Sequence, residues 1–204
     1  FPVLDALFTG IYGHNPYKSP TDMGVNMVGF CISDDEVCNE ASKQEVIRRY
    51  YAALNAFADG HDAEKEINKI TLLMRQLGIT PDYRRTTVAA KACRDRENAS
   101  ATAIELEDGT IITAHTGDLL GCSAALLINA TKHLAHIDHS VKLLPQEMIA
   151  PIQHTKIAYL QGHNPRLHTD EVLVALSVLS QSDKRCAQAL AQLPRLNGCQ
   201  AHST

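Results

Sequence analysis

Ala101-Thr102-Ala103-Ile104-Glu105-Leu106-Glu107-Asp108-Gly109-Thr110-Ile111-Ile112-Thr113-Ala114 is the stretch whose reading decides the fold. β-Branched residues recur on both sides of Asp108-Gly109, the dipeptide best suited to a two-residue hairpin turn with positive φ. Residues 101–106 and 110–114 are therefore expected to pair. A helix follows over 123–136, where Ala124, Ala125, Leu126, Leu127, Ile128, Ala130 and Leu134 surround the axis with apolar groups and predict a buried element. Val141-Lys142-Leu143-Leu144 reads as a third strand, with helices over 151–160, 169–179 and 183–193. The order β-β-α-β-α-α-α implies a sheet layered between helices.

Upstream the pattern is helical. Ser19-Pro20 offers an N-cap with proline at the first helical position. Asp34, Asp35 and Glu36 place negative charge at the start of a long helix, where the helix dipole favours it. The apolar face of that helix is expected to be Val37, Ala41, Ile47, Tyr51, Leu54 and Phe57. Asp62 opens a second helix striped by Ile67, Ile70, Met74 and Leu77 and stopped by Gly78; Thr80-Pro81 opens a third, to about Glu97. Val3, Leu4, Leu7 and Phe8 form a helical stripe at the beginning of the chain. The expected class is α+β, with a helical bundle over 1–98 and an α/β sandwich over 99–204. Charge supports the division: 26 of the first 98 residues are charged against 16 of the last 106, so the second part is richer in core. The chain opens on Phe1 and ends without a helix stop, and both ends read as cut from a longer protein.

Composition excludes several classes of function. Nineteen Lys and Arg against 23 Asp and Glu give a net charge of −4, without the basic excess of a general nucleic-acid or membrane-surface binder. Aromatic residues are 5% and Trp is absent, which leaves little for base stacking. No apolar run approaches the ~18–20 residues of a membrane span, and no signal peptide opens the chain. The six cysteines include no C-x-x-C pair, so reduced thiols in a cytoplasmic protein are expected.

Two polar stretches carry most of the candidate chemistry. In 15–26, Lys18 offers a mobile cation, Ser19 and Thr21 lie at a helix N-terminus suited to an anion, and Asp22 or Asn26 can orient a hydroxyl or a metal-bound water. The plain alternative is a capping loop. In 164–171, Arg166 can grip a phosphate or carboxylate with two parallel hydrogen bonds, and His168 titrates near neutrality as an acid or base. Thr169, Asp170 and Glu171 also read as an ordinary helix start. Of Arg48 and Arg49, only one can face inward, and a solvated face or an ion pair with Glu45 is the plain alternative. His115 to Ser123 links a strand to a helix through Gly117 and Gly121 without matching a phosphate-loop pattern, and a plain turn explains it. His133, His136, Asp138 and His139 resemble a metal cluster but lack a second anchored ligand set; a polar helix end explains them, and no metal is expected.

The hairpin, buried helix, strand and helix resemble the layout of the cytidine-deaminase-like sandwich. Those enzymes need H-x-E or C-x-E and P-C-x-x-C; here the first position reads His115-Thr116-Gly117 and no C-x-x-C exists, which excludes zinc deamination. A closer likeness runs through Pro16-Tyr17-Lys18-Ser19-Pro20-Thr21-Asp22-Met23-Gly24-Val25-Asn26-Met27, Asp34-Asp35-Glu36, Arg48-Arg49-Tyr50-Tyr51, Asn164-Pro165-Arg166-Leu167-His168-Thr169-Asp170-Glu171-Val172 and Gly198-Cys199-Gln200-Ala201-His202-Ser203-Thr204. These resemble the bacterial family called domain of unknown function 1846 (uncharacterised protein family 0371), specifically its central and C-terminal part. The resemblance implies a missing N-terminal α/β domain carrying a glycine-rich run similar to a phosphate-binding loop, and a further strand after Thr204. It implies no established activity, and nucleotide or phosphate handling is the function it suggests.

Two functions are thus expected. In the first, the loops around Lys18 and Arg166 converge within ~12 Å, the span of a nucleotide-sized ligand, to complete a site for a small phosphorylated ligand such as a Mg-nucleotide with the missing N-terminal domain. Tyr17, Lys18, Ser19, Thr21, Asn26, Arg49, Arg166 and Asp170 are its candidate binding residues, and Asp22 and His168 its candidate proton-transfer residues. In the second, the chain is a non-catalytic scaffold that self-associates through an apolar face including Phe1, Leu4, Leu7 and Phe8.

Overall fold

Packing divides the chain between Pro81 and Asp82. The computed structural model describes residues 2–15 and 34–204. In the first unit α1 covers Pro2–Tyr12, α2 Asp35–Ala58 and α3 Glu64–Gln76. The Asp34 carboxylate accepts the Val37 N–H at 3.0 Å and starts α2 as its charge pattern predicts. Ile47 and Ala53 of α2 meet Ile70 and Met74 of α3, with Ile79 closing the cluster beyond Gly78, whose φ of 64° ends the helix. The expected apolar face of α2 holds at Ile47 and fails at Val37 and Phe57, which are 63% and 54% exposed. Length explains this: 24 residues extend about 36 Å and the 13 of α3 only about 20 Å, so the partner covers the middle of α2 and not its ends.

A short 3-10 turn, Pro81–Tyr83, runs across the division in sequence, and α4, Arg85–Glu97, is the first helix of the second unit. The expected hairpin follows as β1, Ala101–Glu105, and β2, Ile111–His115, paired antiparallel with Ala103 opposite Thr113. Its turn differs from expectation. The Leu106 N–H donates to the Thr110 carbonyl and the Gly109 N–H to the Leu106 carbonyl, which leaves Glu107, Asp108 and Gly109 as a three-residue loop. Gly109, at φ 79°, supplies the left-handed residue that such a loop needs. The Asp108 carboxylate accepts the Thr110 N–H, and that bond holds its carboxyl below the usual range.

Residues 141–144 are not a strand. Leu143 and Leu144 are buried in the helical core, and Lys132 donates its ammonium to the carbonyls of His139 (2.5 Å) and Val141 (2.7 Å). Those acceptors are occupied by a buried lysine rather than by a neighbouring strand. The third strand is β3, Gln200–Ser203, antiparallel to β1. The fold is therefore α+β with a three-stranded antiparallel sheet in the order β2-β1-β3. Four consecutive residues of β1, Ala101 to Ile104, are buried, so both faces of the sheet are covered. α4 packs on all three strands, which places it with the sheet although the sequence groups it with the preceding helices. α5, Cys122–Leu134, packs on β1 and β2, where Leu126, Ala130 and Leu134 meet Ile104 and Ala114.

The other side of α5 meets α7, Thr169–Leu179, and α8, Lys184–Leu190, and α6, Gln146–His154, packs on α7. Ala124, Ile128, Ile149, Leu167, Val172, Leu176 and Cys186 form this second core. α6 begins five residues before the expected start, includes Pro151 and passes into a π-turn at Thr155–Tyr159. The five described cysteines, Cys38, Cys93, Cys122, Cys186 and Cys199, are unpaired. Among the described residues no helix is long and apolar enough to cross a membrane.

Replacing Gly109 by Val tests the turn. A β-branched residue at φ 79° should destabilise the second unit by about 1–2 kcal/mol, read as a lower urea midpoint with an unchanged slope.

Candidate functional site

The connection from β2 to α5 folds back on itself. The Thr116 N–H donates to the Ser100 carbonyl at 2.8 Å and the Gly117 N–H to the Leu120 carbonyl at 3.1 Å. α5 starts after Gly121, which has no side chain to cap it; the Thr116 hydroxyl reaches across and accepts the Cys122 N–H instead. The segment before α7 runs alongside. The Leu167 N–H donates to the Leu119 carbonyl at 2.9 Å, and the Gly121 N–H donates to the Leu167 carbonyl at 3.1 Å, a one-residue parallel bridge. Next to it, Arg166 Nε donates to the Gly117 carbonyl at 2.7 Å.

A second layer holds this segment from behind. Lys156 Nζ donates to the Arg166 carbonyl (2.8 Å) and pairs with Glu171 (2.9 Å). Glu171 also accepts the His168 N–H at 2.7 Å, capping the start of α7.

In front of the loop lies a cleft of about 620 Å³, between the end of α4, the end of β2 and the first turns of α5. Leu119, Leu120 and Ala125 give it an apolar floor, and Arg96, Glu97, His115, Asp118, Asn129 and His139 line its polar parts. A volume of this size matches small-molecule sites. Glu97 accepts Arg96 Nε at 2.7 Å; this bond, and then the charge of nearby His115, hold its carboxyl below the usual range. Asn129 Nδ2 donates to the Thr113 carbonyl at 3.3 Å, which orients the amide and leaves its oxygen as an acceptor. Asp118 is exposed and makes no hydrogen bond or ion pair among the described residues. A neighbouring cavity of about 360 Å³ shares Thr113, Asn129 and His139 and is bordered by His133.

Of the residues singled out in the sequence, Arg166 bonds to Gly117 of the loop that forms one wall of this cleft, without itself lining it. His168 and Asp170 are exposed at the start of α7 and do not line it; His168, rather than Thr169, is the residue that flanks the helix. Arg49 is in the first unit, where Glu45 binds both Arg49 (2.8 Å) and Arg48 (2.6 Å). Tyr17, Lys18, Ser19, Thr21, Asp22 and Asn26, and with them the Ser19-Pro20 helix start, lie outside the described residues. Asp138 is engaged by the N–H and hydroxyl of Ser140. Among the described residues no three His, Cys, Asp or Glu side chains gather to hold a metal ion. Glu97 and Asn129 escape the sequence reading. A lone amide in the apolar run of α5 is a signal for Asn129, whereas Glu97 reads only as the charged end of a helix.

Residues 1–78 match the family described as Domain of unknown function DUF1846, N-terminal, and residues 82–204 the one described as Domain of unknown function DUF1846, C-terminal. The chain belongs to the DUF1846 family. The two matched regions meet where the two packed units do, and the first is the family's N-terminal region rather than only a central part. All 204 residues align with UPF0371 proteins of Corynebacterium urealyticum (50% identical), Streptococcus thermophilus (48%) and Corynebacterium diphtheriae (48%). The chain spans 41% of the length of each of these curated relatives.

The paired arginines of this DUF1846 chain make one measurable demand. Hydrogen bonds from Arg48 and then Arg49 hold Glu45 down to about 2. A carboxylate with a depressed pKa contributes stability that is present above the ordinary 4.5 and is lost as pH falls toward 2. Carboxyl carbon shifts followed by NMR should therefore place the Glu45 midpoint near 2 and move it upward in Arg49→Ala.

Proposed function

We propose that this chain supplies a binding site for a small phosphorylated ligand, a nucleotide or sugar phosphate with its Mg ion, within a protein longer than the chain itself. The observation that carries the reading is Arg166. Its Nε is tied to the Gly117 carbonyl, and its two terminal nitrogens take no partner among the described residues. A guanidinium held by one edge keeps its other donors for a phosphate without losing rotamer freedom on binding. The adjoining start of α5 adds the positive end of a helix dipole, and the cleft gives the rest of the ligand room.

β1 lies antiparallel to both of its neighbours in the order β2-β1-β3, an arrangement compatible with a deaminase-like sandwich. The unpaired thiols support a cytoplasmic setting.

A second reading, self-association, has its own observation. On α1 the exposed stripe is Val3 (79%), Leu7 (51%) and Ile11 (65%), spaced at four residues, whereas Phe8 is half-buried and stacked on Tyr12. Phe1 lies outside the described residues.

Thermal-shift measurements with Mg-ATP, inorganic pyrophosphate and sugar phosphates test the first reading. A ligand at 100 times its Kd should add about 2.7 kcal/mol of stability. Arg166→Lys, which keeps the charge but loses the fork, should weaken binding about tenfold; no shift with any of the ligands, in this chain or a full-length relative, overturns the reading. Light scattering after size exclusion tests the second. Association through α1 predicts a dimer or larger species that Leu7→Asp converts to monomer with helix content retained.

A further inference from the structure

We propose that the cleft beside Arg166 receives the hydroxyl-bearing, sugar portion of the phosphorylated ligand, with Asp118 binding a pair of adjacent hydroxyls. The inference rests on the phosphate reading of Arg166 and assigns the remainder of the ligand.

The open polar groups of the cleft are mostly acceptors. Asp118 has two carboxylate oxygens without a donor among the described residues, Glu97 has one oxygen beyond the one bonded to Arg96, and Asn129 presents its amide oxygen. Such a set calls for donors. Ammonium groups and hydroxyls both qualify, and charge separates them. Arg96 already balances Glu97, so Asp118 is the single uncompensated charge among the cleft's acids, and at an exposed carboxylate one ion pair gains too little to fix a cation there. Hydroxyls are neutral donors, and two on adjacent carbons match the two oxygens of one carboxylate, the pairing by which an acidic residue reads a ribose.

The floor supports this choice. Leu119, Leu120 and Ala125 offer an apolar surface to the C–H face of a sugar ring, while the acceptors stand at its edge. Position is also fixed. Asp118 follows Gly117, whose carbonyl Arg166 holds, so the phosphate-binding guanidinium and the diol-binding carboxylate stand on two loops that are bonded to each other. Asn129 is likewise anchored, by its bond to the edge strand.

Isothermal titration of the chain with ribose 5-phosphate, 2-deoxyribose 5-phosphate, ribose and inorganic phosphate tests the inference. Ribose 5-phosphate should bind about tenfold more tightly than its 2-deoxy analogue. In Asp118→Ala, whose exposed side chain leaves the melting temperature unchanged, that preference should vanish while inorganic phosphate binds as before. Asn129→Ala should weaken both sugar phosphates alike. Equal affinity for the ribose and deoxyribose phosphates, with phosphate still bound, overturns the sugar assignment and leaves the Arg166 reading standing. Ribose binding as tightly as ribose 5-phosphate, with the preference intact, supports the sugar pocket and removes the phosphate reading. Binding of none of the four overturns both.

Discussion

Leu167 is the residue on which the second unit turns. Its side chain is fully buried in the helical core, so its backbone N–H and carbonyl are withdrawn from water and must find partners there. Leu119 and Gly121 provide both, at 2.9 and 3.1 Å. One buried leucine thereby ties two loops, 116–121 and 164–168, that are distant in sequence. Each loop opens a helix, α5 at Cys122 and α7 at Thr169, so two helix starts are held side by side. Arg166 is placed against Gly117 as a consequence of that tie, and the cleft wall inherits its rigidity from it.

Several of the charged groups in this unit are engaged with backbone. Lys132 occupies two carbonyls of the segment after α5; Lys156 holds the Arg166 carbonyl, and Glu171 takes the His168 N–H. Burial pushes the Lys132 ammonium below its ordinary value, and the two carbonyl acceptors oppose that cost. These are structural fasteners. They replace strand pairing where the chain between α5 and α6 passes through the core without regular structure, and they make the irregular segments as well satisfied as helices.

How much of this could be read from sequence depends on whether the signal was local. The hairpin, α3 with its Gly78 stop, and α7 over 169–179 follow from spacing and caps, which are properties of a few neighbouring residues. Val141-Lys142-Leu143-Leu144 has strand composition, yet two of its leucines belong to a helical core and its acceptors to Lys132, a tertiary arrangement that composition does not carry. Gln200-Ala201-His202-Ser203 shows the reverse: a polar quartet becomes a strand because β1 has an open edge to fill. Similarly, Thr169 looks like the better helix cap, but Glu171 reaches back to His168 and shifts the start by one residue.

The same distinction separates the parts of the site. Arg166 stands out in sequence because nothing nearby explains an arginine between Pro165 and Leu167; the structure then gives its guanidinium one partner among the described residues and leaves both terminal nitrogens over. His168 stands out for the same reason, whereas Asp170 reads as the first turn of a helix; both are exposed at that helix start and do not line the cleft. Glu97, Asn129 and Asp118 come from the end of one helix, the middle of another and a loop, and no spacing rule connects them. What joins them is that the structural fasteners leave their acceptors unused around a single apolar floor. Asp118 and Glu97 are exposed and hydrated in the free chain, so a bound molecule gains from them only by replacing that water with donors held in the same geometry.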